Sequence, residues 1–210
     1  MTLTVEPGYP RLHDELRRRV PPYVESPHLD YFCGKYPWGE SFATEHQVVG
    51  FDPRLDTEVW RTIIHRKFSL IAAKLEAADC VKTLRGGYTF TTNRRMVEQQ
   101  APFRSASAFF KFNFQGTELF SDIRPLLSDI APLVVVDYDM VGMTQEEFFA
   151  RFRAQAEIAE IRMLGMDEAY QTYTHVGLEN CVGIADDAGF ATLEAERFLG
   201  QYFIWVGVKQ

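Results

Sequence analysis

The chain is poor in cysteine, and its three cysteines, Cys33, Cys80 and Cys181, are far apart and never in CxxC spacing. A disulfide framework or a zinc cluster therefore has no support, and three unpaired thiols fit a reducing, cytoplasmic setting. An excess of positive charge is also missing: the formal net charge is −7, which disfavours non-specific attraction to nucleic acid or to an anionic membrane. No run approaches the ~20 apolar residues of a membrane-spanning helix, and the first residues lack the apolar stretch of a secretory signal. Glycine-rich phosphate loops, GxSxG, SxxK, HExxH and kinase signatures are absent as well. With 46% hydrophobic and 24% charged residues over 210 positions, what remains is an ordinary globular chain able to bury a sizeable core.

Proline is unevenly spread. Six of the ten prolines fall within residues 1–45, together with Tyr9, Tyr23, Tyr31, Phe32, Tyr36, Trp38 and Phe42. Proline disfavours long helices and central strands, so 1–45 reads as an extended arm with a short helix around 11–19. Residues 46–210 read as one domain. Its expected strands are 47–51, 88–91, 107–115, 132–139, 181–185 and 201–208. Its expected helices are 56–78, 117–129, one opened by a Thr144/Glu147 capping box, 167–174 and 188–199. The expected fold is α+β: a single mixed sheet of about five to six strands with helices packed on it.

The stretch with most chemical content is PLVVVDYD at 132–139. A buried strand over Val134–Val136 would place Asp137 and Asp139 on the same side of the pleat at its C-terminal end, where open sheets carry sites. CVGIADD at 181–187 repeats the pattern, with Asp186 at the strand end and Asp187 placed to cap the next helix. VVVDYD resembles the first motif of haloacid-dehalogenase-type phosphatases, and GIADD resembles their acidic metal-binding motif. That resemblance implies Asp137 as nucleophile, Asp139 as acid/base, and magnesium held with Asp186. His28-Leu29-Asp30 has the HxD spacing of two iron ligands.

His175, in a loop before the expected 181–185 strand, is the best general acid/base, with Asp137 and Asp139 as partners. Phe110, Phe112 and Phe114 share one face of the expected 107–115 strand, so Phe110, Phe112 and Tyr88 are the candidate walls of an aromatic-lined pocket. Metal ligands would come from Asp137, Asp139 and Asp186; the residues do not say which cofactor, or whether one, is bound. The expected function is an enzyme acting on a small organic molecule, without nucleic acid or membrane partners. The alternative is a non-catalytic subunit that anchors on a partner protein or a second copy through residues 20–45.

Overall fold

A computed structural model describes residues 8–33, 38–53, 80–82, 87–152 and 165–210. The expected helix at 56–78, with His65, lies outside them. The strands are β1 (His28–Tyr31), β2 (Gln47–Phe51), β3 (Cys80–Lys82), β4 (Gly87–Thr91), β5 (Ser105–Phe109), β6 (Pro132–Tyr138), β7 (Phe190–Phe198) and β8 (Tyr202–Lys209). They form one mixed sheet of eight strands in the order β3-β4-β2-β1-β5-β6-β8-β7. The five central strands, β4 to β6, run parallel, while β3, β8 and β7 join antiparallel. The single mixed sheet is as expected; five to six strands was too few.

Helices cover both faces, so the parallel strands are buried on two sides and can be apolar throughout. In β6, Leu133 and Val135 enter one core while Val134 and Val136 enter the other, all fully buried. The first core takes Val97 from α2 (Arg94–Gln100), Leu119, Phe120 and Ile123 from α4 (Thr117–Ile123), and Leu178, Cys181 and Ala185 from α7 (Leu178–Asp187). The second core takes Leu12 and Leu16 of α1 (Gly8–Arg19), one turn apart and therefore on one face. Arg19 ends that helix by bonding Glu15 and Glu196 and lying 5.3 Å over the Phe198 ring, which ties α1 to the edge strand β7. A smaller third core joins Met140 to Phe148 of α5 (Gln145–Phe152) and to Ala169 and Tyr173 of α6 (Met166–Thr174).

Three expectations are corrected. Residues 1–45 do not end in an extended arm. His28–Tyr31 is a central strand between β2 and β5, and Val24, Tyr31, Phe32 and Phe42 are buried in the chain's own cores. The expected 181–185 strand is the helix α7, whose Leu178, Cys181 and Ala185 recur at helical spacing on the buried side. The expected 188–199 helix is the strand β7, held in register with β8 from Phe190↔Lys209 to Phe198↔Tyr202. Leu199 and Gly200, both at positive φ (51° and 71°), reverse the chain between them.

The capping box stands as expected. Thr144 Oγ1 donates to Glu147 at 2.8 Å, and the Thr144 N–H reaches the same carboxylate at 2.9 Å. Thr144→Ala is expected to cost about 1 kcal/mol of stability, read as a lower urea midpoint with an unchanged slope.

Candidate functional site

The chain leaves β1 toward β2 and β4 on one side, and β5 toward β6 on the other. The sheet therefore reverses its winding between β1 and β5. In open sheets the crevice outside the carboxyl ends of strands at such a reversal is the usual ligand site. The residues at those ends are Asp30 in β1, Asp52 after β2, Thr91 ending β4, Phe110 and Lys111 after β5, and Tyr138 and Asp139 at the end of β6.

Asp30 is 1% exposed. Its Oδ2 accepts the Gly39 N–H at 3.0 Å and the Tyr88 hydroxyl at 3.2 Å, while its Oδ1 is buried without a partner. Burial pushes its carboxyl up to about 7, against the pull of those two donors. A Cβ at Gly39 would stand 2.5 Å from Asp30 Oδ2, so only glycine lets the backbone close on the carboxylate. Asp52 is fully buried one strand away, its N–H bonded to the Thr91 carbonyl at 3.3 Å. Beside it, the Cys33 N–H donates to the Phe51 carbonyl at 3.1 Å.

Two residues flanking the reversal, Phe32 after β1 and Phe110 after β5, hold φ values of 55° and 58°. A bulky residue in the left-handed region is strained by about 1–2 kcal/mol and is found where the surrounding structure enforces it. At Phe110 this turn ends the strand at Phe109, five residues before the last of the alternating phenylalanines, and α3 (Phe112–Gln115) begins. It also separates two expected pocket walls. Phe110 stays at the strand tips, half-buried, with its ring 6.0 Å from Trp38 and 5.3 Å from Tyr138. Phe112 passes into the opposite core against Phe120 and Phe203. Tyr88 is buried and bonded to Asp30 rather than lining an open wall.

Asp137 and Asp139 do lie at the end of a buried strand, but both are committed to holding loops. Asp137, fully buried, accepts the Asn113 N–H at 3.1 Å, Asn113 Nδ2 at 2.7 Å and the Tyr138 N–H at 2.7 Å. Burial raises its carboxyl to about 6, those donors and the Lys111 charge notwithstanding. Asp139 takes Arg197 Nε at 2.6 Å and the Leu178 N–H at 3.4 Å, so it caps α7.

His175 stands exposed at the C-terminal end of α6, its ring 3.4 Å from the hydroxyl of its neighbour Thr174. Asp186 and Asp187 end α7 on its exposed side, so Asp186 is not a strand-end acid and Asp187 does not open a helix. Among the described residues no three His, Cys, Asp or Glu side chains gather as metal ligands. The HxD pair is no iron site either: His28 uses both ring nitrogens on Ser105 (2.7 Å) and Ser107 (2.9 Å), and burial lowers its pKa to about 3. With α7 a helix, the resemblance to the phosphatases loses its second motif.

Asp52 escaped the sequence reading, and Asp30 entered it only as half of the HxD pair. VVGFD is a short apolar run ending in an acid, whereas HLDY, four residues among prolines, gives Asp30 no such signal.

No family model matches the chain, and no curated protein matches it in sequence. Solved structures do resemble it in fold. The pyocyanin biosynthetic protein PhzM superposes with a TM-score of 0.60 at 11% identity, over 94% of this chain and 54% of that one. Phosphoethanolamine N-methyltransferase 2 of Haemonchus contortus, in complex with S-adenosyl-L-methionine, gives 0.58 at 16%, over 96% and 52%. The N-methyltransferase NodS of Bradyrhizobium japonicum WM9 gives 0.55 at 10%, over 97% of both chains. The chain thus spans about half the length of the first two and nearly all of the third. At these identities the likeness shows the fold alone: a mixed α/β, Rossmann-like sheet such as these proteins carry. No described helix is long and apolar enough to cross a membrane.

Proposed function

We propose that the protein is an enzyme that binds S-adenosylmethionine and transfers its methyl group to a small molecule. The observation that carries this reading is the buried, unpartnered Oδ1 of Asp30 at the winding reversal, with Asp52 buried one strand away. A buried acceptor without a donor is costly, about 1–3 kcal/mol, unless something supplies one.

S-adenosylmethionine fits this edge chemically. It carries an ammonium group, ribose hydroxyls and a positive sulfur, all suited to carboxylates; when bound it supplies an activated methyl group. In this reading Asp52 holds the ribose hydroxyls and Asp30 faces the amino-acid portion, with Gly39 giving close backbone approach. The rings of Trp38, Phe110 and Tyr138 wall the adjoining acceptor side. Asp137 and Asp139 hold loops in this reading, rather than forming with His175 the acid/base pair expected from sequence. The alternative of an anchoring subunit is weakened because the described aromatics at 20–45 pack largely within the chain.

Calorimetric titration with S-adenosylhomocysteine tests the proposal. One-to-one binding is expected, weakened on the order of tenfold or more in Asp52→Ala through loss of charge-assisted hydrogen bonds. Absence of binding by the intact protein, or undiminished binding by a folded Asp52→Ala, would overturn it.

A further inference from the structure

We infer that the crevice beside Asn113 receives the methyl acceptor, and that this acceptor is an amine carried on a flat, apolar body. The inference rests on the methyl-transfer reading above and narrows its substrate class.

Asn113 is 8% exposed. Its side-chain nitrogen donates to Asp137 Oδ1 at 2.7 Å and to the Tyr138 carbonyl at 3.3 Å. Both of those groups accept, so the amide can face only one way, with nitrogen toward them. Its Oδ1 is therefore turned away from both, buried and without a donor. A ligand N–H would satisfy it.

The surroundings describe the rest of that ligand. Asn113 lies three residues beyond Phe110, at the tips of β5 and β6, and its short helix α3 touches α6. Ring contacts run from Trp38 to Phe110 (6.0 Å), Phe110 to Tyr138 (5.3 Å) and Tyr138 to Tyr173 of α6 (5.3 Å). Such a cluster of rings suits a flat or apolar body and favours a positive charge.

The chemistry of the neighbours selects nitrogen over oxygen. Asp137 is engaged by three donors, and Asp139 by Arg197 and the N-terminus of α7. His175 is exposed at the C-terminal end of α6, its ring beside the hydroxyl of its neighbour Thr174. Neither of these two carboxylates is free to take a proton from a hydroxyl or thiol before attack. An alkylamine, bound first as its ammonium ion, gives up one proton to water far more readily than a hydroxyl does; a remaining N–H then donates to Asn113 Oδ1 while the freed lone pair stays available. That lone pair forms the new N–C bond as the donor's C–S bond breaks, its electron pair staying on sulfur as a thioether. The product leaves as an N-methylammonium, whose proton then passes to water.

The test is binding without any methyl donor, followed by calorimetry or ligand-observed NMR, using 2-phenylethylamine against 2-phenylethanol. The amine is expected to bind on the order of tenfold more tightly than the alcohol. Asn113→Ala is expected to lose about tenfold in amine affinity while retaining S-adenosylhomocysteine binding. Phe110→Ala, which leaves the Asn113–Asp137 bonds in place, is expected to lose a comparable factor. Should Asn113→Ala fail to bind S-adenosylhomocysteine, and so prove misfolded, Phe110→Ala decides. Equal binding of amine and alcohol overturns the inference, and so does amine affinity untouched by the folded variants. A protein that binds S-adenosylhomocysteine but not the amine overturns it too, leaving the methyl-transfer reading intact. Failure of S-adenosylhomocysteine binding strikes that reading instead.

Discussion

Asp30→Asn is expected to make the folded protein more stable at pH 8, by about 1–3 kcal/mol, and to weaken S-adenosylhomocysteine binding on the order of tenfold. The two effects have one origin. Burial raises the Asp30 carboxyl from 3.8 to about 7, so the native state resists a charge that the unfolded chain accepts freely. A group whose folded pKa is raised contributes most below its unfolded pKa, and that contribution is lost as pH rises through the folded value. Asp30 therefore costs stability progressively between about pH 4 and 7. Asn keeps an oxygen for the Gly39 N–H and the Tyr88 hydroxyl and removes the charge. It also puts an NH2 where the unpartnered Oδ1 stands, replacing the acceptor proposed for the ligand. That buried NH2 offsets part of the gain, which is why the expected value is modest.

Two other buried groups shape the same profile. Asp137, raised to about 6, loses stability in the same direction up to that pH. His28, lowered to about 3, runs the other way: the unfolded chain gains a proton below 6.5 that the folded chain refuses, so its contribution falls as pH falls. Urea denaturation of the native and Asp30→Asn proteins at pH 5 and pH 8 isolates Asp30, because both carry the other two groups. The stability difference must grow toward pH 8; a difference independent of pH would show that the Asp30 charge is not the cause.

A buried carboxylate retained at such a cost fits a site better than a scaffold. It also shows what was legible in the chain. Carboxylates do stand at the ends of parallel strands, and β6 was plain because Val134–Val136 is apolar on both sides. β1 was not plain: only four residues long, among prolines, HLDY carries no periodicity to separate it from a loop. Its partners β2 and β5 make it a central strand, and that pairing is non-local. The segment 178–199 was read with helix and strand exchanged. LENCVGI is apolar enough for a short strand, and ATLEAERF is rich in the helix formers Ala, Leu and Glu. What decides is register with β8, which fixes 190–198 as an edge strand whatever its propensity. The alternation of Phe110, Phe112 and Phe114 failed for a different reason: a left-handed turn at Phe110 breaks a strand that the pattern alone would continue.

The pair that drew attention first gives the largest expected loss. Asp137→Ala is expected to destabilise the fold by about 3–5 kcal/mol, because it strands the Asn113 and Tyr138 donors at a dry strand end. Asp139→Ala is expected to cost less, about 1–2 kcal/mol. Its partner Arg197 is half exposed and can turn to water or to Glu179, leaving chiefly the uncapped N-terminus of α7. Denaturation midpoints measure both. If these acids were an acid/base pair, the order would be reversed in kind: stability nearly untouched, catalysis lost. Within the methyl-transfer reading, Asp139→Ala should instead keep S-adenosylhomocysteine affinity within about threefold, since its bonds reach only α7 and β7. Asp137→Ala should lose amine binding along with stability, because without Asp137 nothing holds the Asn113 amide in the one orientation that offers Oδ1 to a ligand. A stable Asp137→Ala protein would mean that the three donors find other partners, and the orientation argument at Asn113 would fall with it.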